Sequence, residues 1–133
     1  MTMQAISRAE RLIAALDVAT AEEAKTLVQR LGDSVSFYKV GLQLFMADGY
    51  FGLIDWLTRL NKKVFVDLKF FDIPQTVGAA VRGLRNRGVT FATVHGNQTM
   101  LEAAVEAKGD VKILAVTVLT SLDQGDLDDL GFQ

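Results

Sequence analysis

Cysteine is absent from this chain, and histidine, proline and tryptophan occur once each, as His95, Pro74 and Trp56. Without cysteine there is no disulfide framework and no thiolate chemistry, and one imidazole leaves too few soft ligands for a typical zinc site. Neither a metal nor an organic cofactor is implied. An excess of one charge is missing too. Fourteen Lys and Arg against sixteen Asp and Glu leave a net charge of −2, and the cationic residues are scattered. That pattern carries no footprint for nucleic acid or for an anionic membrane. Nowhere do 18 apolar residues run together, and residues 1–11 carry Arg8, Glu10 and Arg11 rather than an apolar stretch before a cleavage site. These features predict a cytoplasmic protein with no membrane span.

What is present describes one soluble globular unit over residues 1–133, with 50% hydrophobic and 23% charged residues. Arg11 to Asp17 reads as a short apolar strand ending in a carboxylate. Thr20 followed by Glu23 is a capping box that opens a helix to about Leu31, where Gly32 stops it. Val35 to Val40 is a second strand, and Leu42 to Leu60 reads helical with an interruption at Gly49. Lys62 to Leu68 is a third strand, followed by a helix from Pro74 to about Arg87 that Gly88 closes. Val89 to Val94 is a fourth strand, Asn97 can cap a helix to Lys108, and Lys112 to Thr120 is a fifth strand. The tail from Asp123 to Asp129 is acidic and carries no evident helix.

Five strands alternating with four helices through short connections require parallel pairing, in a layered or barrel α/β architecture. Asp17, Lys39, Asp67, Lys69, His95, Thr120 and Ser121 then fall at or just past the C-terminal ends of strands. That edge is where open parallel sheets and (β/α)₈ barrels gather ligand-binding and catalytic groups. The turn after the first strand, Asp17-Val18-Ala19-Thr20, holds no glycine, which disfavours a dinucleotide-binding fold.

The stretch Val66 to Thr76 is the most unusual. It places two carboxylates and an ammonium on an otherwise apolar strand, and alternation points Asp67 and Lys69 the same way. Buried parallel strands are continuous apolar runs in which charges are rare unless paired. A solvated ion pair at a strand end, with Asp72 capping a helix that starts at Pro74, is the plain alternative.

Four segments, LIAALD (12–17), FYKVGLQLF (37–45), VDLKFFDIPQT (66–76) and VTVLTSL (116–122), strongly resemble bacterial orotidine 5′-phosphate decarboxylase. The family's D-x-K-x-x-D-I-P-x-T pattern matches without a gap. The resemblance implies a (β/α)₈ TIM barrel, of which this chain is expected to hold about the first five strands and four helices, as a truncated half. Such a barrel takes about 250 residues; a self-contained five-stranded fold is the alternative. It further implies cofactor-independent decarboxylation of orotidine 5′-monophosphate (OMP) to uridine 5′-monophosphate (UMP), in de novo pyrimidine biosynthesis. By similarity Lys69 protonates C6, Asp67 lies beside the departing carboxylate, and Lys39 and Asp72 complete a Lys-Asp-Lys-Asp network. Asp17 and Lys39 are implied to contact the ribose, and Thr120 and Ser121 the pyrimidine. Asp72 and Thr76 are implied to reach the neighbouring site of a homodimer. The phosphate-gripping loops of the family follow late strands beyond Gln133, so residues 1–133 alone are expected to be inactive or nearly so.

Two other functions compete. Related barrels that act on sugar phosphates share D-x-K-x-x-D but commonly use a metal, and the Ile73-Pro74-Gln75-Thr76 continuation argues against them. The other is a non-catalytic half-barrel serving as an assembly unit. His95, lacking a candidate partner, reads as a structural hydrogen-bonder rather than a general base.

Overall fold

The computed structural model describes residues 3–132. Its five strands lie side by side in chain order, every neighbouring pair parallel. Strand β1 is Ala14–Ala15, β2 Phe37–Gly41, β3 Lys63–Phe70, β4 Phe91–His95 and β5 Lys112–Val116. Parallel neighbours require a crossover, and helices α1 (Ala21–Leu31), α2 (Leu42–Phe45) with α3 (Tyr50–Arg59), α4 (Pro74–Arg82) and α5 (Gln98–Ala107) supply them.

Local chemistry sets the helix ends. The Glu23 amide donates to Thr20 Oγ1 at 3.1 Å, while the Glu23 carboxylate accepts from the Ala19 amide at 3.0 Å. Thr20 thus caps α1 as the sequence predicts, with the glutamate reaching one residue further back than the capping box requires. Between α2 and α3 the chain turns at Gly49, whose φ of +86° is open to glycine at little cost. Pro74 begins α4 at the one helical position where a missing N–H costs nothing.

Alternation along the strands separates two faces. Tyr38, Val40, Val64, Val66, Ala92 and Val94 are fully buried. Ala24 and Val28 of α1 and Leu53, Ile54 and Leu57 of α3 cover one part of this outer face, and Val77, Val81, Ala104 and Ala107 of α4 and α5 cover another. Gly78 lets α4 lie close to α5, since a Cβ there would come within 3.4 Å of the Ala103 carbonyl oxygen. The inner face carries Phe37, Phe65 and Phe91, with Phe65 paired opposite Phe91 and ring centroids 5.6 Å apart for Phe37 and Phe91 and 5.9 Å for Phe65 and Phe91. Above this aromatic floor, toward the C-terminal strand ends, the inner face becomes polar.

Three expectations need correction. The first strand pairs over two residues rather than from Arg11 to Asp17: only Ala14 and Ala15 stand in register with β2, and the last ladder bond runs from the Leu16 amide to the Lys39 carbonyl. The fifth strand ends at Val116, so Thr120 and Ser121 lie in an exposed turn and not at a strand end. Helices are also more numerous than four. The second crossover is split in two, and the acidic tail forms α6 (Gln124–Asp129). A reciprocal capping box opens α6, with the Asp126 amide donating to Asp123 and the Asp123 amide donating to Asp126, both at 3.0 Å.

Candidate active site

The C-terminal halves of β2 and β3 place three ionisable groups together. Lys39 Nζ lies 3.3 Å from Asp67 Oδ2, and Lys69 Nζ donates to both Asp67 oxygens at 2.9 Å. The Asp67 side chain is only 10% exposed, against 27% for Lys39 and 41% for Lys69. The carboxylate is therefore the buried centre, and the two ammoniums are its rim. Burial alone raises its pKa; hydrogen bonds from Lys69 and Thr93, the charge of Lys69 and a hydrogen bond from Lys39 outweigh that and hold it below the usual carboxylate range. Two ammoniums against one carboxylate leave one net positive charge at the mouth, suited to an anionic ligand.

Backbone geometry places Lys69. The β3–β4 ladder pairs Val66 with Ala92 and resumes at Phe70 with Val94, so Asp67, Leu68 and Lys69 bulge opposite Thr93 alone. Lys69 takes a φ of +49°, a left-handed conformation costing an L-residue about 1–2 kcal/mol. The Lys69 amide donates to Thr93 Oγ1 at 3.0 Å, and that hydroxyl donates to Asp67 Oδ1 at 2.8 Å. Sequence reasoning missed Thr93. Its signal was a hydroxyl inside the apolar run FATVH, in step with Phe91 and His95 on the inner face.

Tyr50 of α3, buried below the same edge, donates to the Val40 carbonyl at 3.1 Å. Burial and the nearby negative charge of Asp67 push its hydroxyl far above the ordinary tyrosine range. It remains a neutral donor that anchors β2 next to Lys39.

Of the residues singled out from sequence, the structure brings Lys39, Asp67 and Lys69 into mutual contact. Asp72 lies apart: it is exposed, and its Oδ1 accepts from the Ile73 amide at 2.7 Å, a local bond just ahead of α4. Thr76 is exposed in the first turn of α4, and Asp17 is exposed two residues past β1. His95 packs edge-on to Phe71, ring centroids 5.0 Å apart. Among the described residues no three His, Asp or Glu side chains gather into a metal-binding group, and no helix is long and apolar enough to cross a membrane.

A model of the orotidine 5′-phosphate decarboxylase / HUMPS family matches residues 10–131. The chain belongs to this family. An orotidine 5′-phosphate decarboxylase of Methylococcus capsulatus is 69% identical over 94% of this chain and 52% of its own length. Another, of Xanthomonas euvesicatoria, is 54% identical over 92% of this chain and 51% of its own. The chain thus spans about half the length of the curated relatives it matches. The crystal structure of orotidine 5′-phosphate decarboxylase from Lactobacillus acidophilus superposes with a TM-score of 0.81 at 36% identity, over 90% of this chain and 58% of that one. The Methanocaldococcus jannaschii enzyme, crystallised with the inhibitor BMP, gives 0.75 at 27% identity over 90% and 56%. The fold class is accordingly that of this decarboxylase family's (β/α)₈ barrels, and the chain carries five parallel strands of it.

Proposed function

We propose that the protein carrying this chain decarboxylates OMP to UMP in cytoplasmic pyrimidine biosynthesis, without metal or organic cofactor. The observation that carries the proposal is the Lys39–Asp67–Lys69 cluster at the C-terminal strand edge of a chain from this family. Breaking the bond between C6 and the carboxylate leaves an electron pair on C6 in the plane of the ring, where the π system cannot spread it. Fixed electrostatics must then stabilise it. Lys69 supplies a charged ammonium held in place by Asp67; its proton forms the new C6–H bond as CO₂ departs, and solvent restores the neutral amine to its charged form. Asp67 lies beside the departing carboxylate and favours its loss. Lys39 and Asp17 hold ribose hydroxyls, and Thr120 and Ser121 face the pyrimidine. Asp72 and Thr76, exposed at the start of α4, serve the site of a second copy in a homodimer.

The test is OMP turnover by a chimera in which residues 1–133 precede the remaining half of the Methylococcus capsulatus relative. UMP should form, and Lys69→Ala should lower kcat by at least about 100-fold with the thermal midpoint little changed. A folded chimera that makes no UMP overturns the assignment. Residues 1–133 alone should be inactive or nearly so, and appreciable turnover by them overturns that part.

A further inference from the structure

Asp67 and Lys69 are joined twice. The first junction is the ion pair between their side chains; the second runs through a hydroxyl on the neighbouring strand. We propose that Thr93 is a positioning residue for the decarboxylation, its single hydroxyl clamping the Asp67 carboxylate to the kinked backbone of Lys69. This rests on the decarboxylase assignment above and extends it to a residue that touches neither reacting atom.

The direction of each hydrogen bond is forced. An ionised carboxylate can only accept, so the Thr93 hydroxyl proton goes to Asp67 Oδ1, leaving a lone pair on Oγ1 for the Lys69 amide. Thr93 is 5% exposed, so water is poorly placed to substitute for it. The bulge removes Lys69 from the regular β3–β4 ladder, and Thr93 Oγ1 receives the amide at that point. A left-handed lysine persists only where its surroundings over-determine it. The ring of contacts is closed: Thr93 to Asp67, Asp67 to the Lys69 ammonium, and the Lys69 amide back to Thr93. Opening it at the hydroxyl frees the carboxylate to turn and the backbone to relax, and the ammonium loses its fixed place.

Valine matches threonine in shape but lacks the hydroxyl, whereas serine keeps it. In the chimera, Thr93→Val should lower kcat by about 100-fold, the scale of a small misplacement of a reacting group, and change KM by less than about twofold. Thr93→Ser should restore most of the loss. In residues 1–133, the Asp67 carboxyl followed by ¹³C NMR should titrate at higher pH in Thr93→Val and return toward the wild-type midpoint in Thr93→Ser. A valine variant with wild-type kcat and an unmoved Asp67 midpoint overturns the proposal, as does a serine variant as impaired as the valine one. If valine prevents folding, Thr93→Ala is held to the same outcomes. A wild-type chimera without turnover defeats the decarboxylase assignment instead, and the Asp67 titration then decides alone whether Thr93 sets this cluster.

Discussion

Strand β3 has two faces with opposite duties. Val64 and Val66, both 0% exposed, join the packing against α3, while Asp67 turns toward the open inner face and meets two lysines. Burying apolar side chains supplies stability roughly in proportion to area. A carboxylate between ammoniums supplies little net stability and depends on placement. Stability and the proposed chemistry are thus carried by residues one position apart, and one can be altered with modest effect on the other.

The sharpest way to break that division is to compare a core truncation with a loss at the rim. Ile54→Ala, at a fully buried site of α3, should cost about 2–5 kcal/mol by urea unfolding. Lys69→Ala should cost less than about 1 kcal/mol, because its ammonium is partly exposed. Equal costs would mean that the inner face also holds the fold together.

A smaller effect tests the carboxylate at the centre of the cluster. The folded-state pKa of Asp67 lies below its ordinary value of 3.8. Its contribution is therefore fully present above that value and is lost as pH falls through the lower, folded one. Unfolding followed from pH 7 to pH 2 should show stability falling below about pH 4, with a shallower fall in Asp67→Asn. An unchanged slope in that variant would separate Asp67 from the acid sensitivity of the chain.

The last test is a helix cap. Thr20→Ala removes the α1 cap and should cost about 1 kcal/mol, with no change in the Asp67 titration. A shift there would show that α1 and the charged cluster are coupled.

Much of this organisation was legible beforehand. Short β-rich runs separated by capping and glycine signals located all five strands and the four crossovers, and period-two alternation placed Asp67 and Lys69 on one side. What escaped had a physical cause in each case. The contact between Asp67 and Lys69 does form, but through a bulge and a positive φ that depend on β4, a strand more than 20 residues away in sequence. Thr93 escaped because threonine is itself a β-former, so one hydroxyl in an apolar strand is a weak signal. The helix α6 was missed because its capping box is built from two aspartates, Asp123 and Asp126, and reads as an acidic tail. Strand ends at Ala15 and Val116 are set by where the neighbouring strand offers partners, which composition does not record.

The φ of +49° at Lys69 also bears on how such a chain can change over time. Glycine would occupy that position without penalty, so drift toward durability favours losing the lysine, and on the decarboxylase proposal only selection for turnover retains it. If Lys69 is the proton donor proposed above, durability and reactivity pull in opposite directions at a single backbone angle.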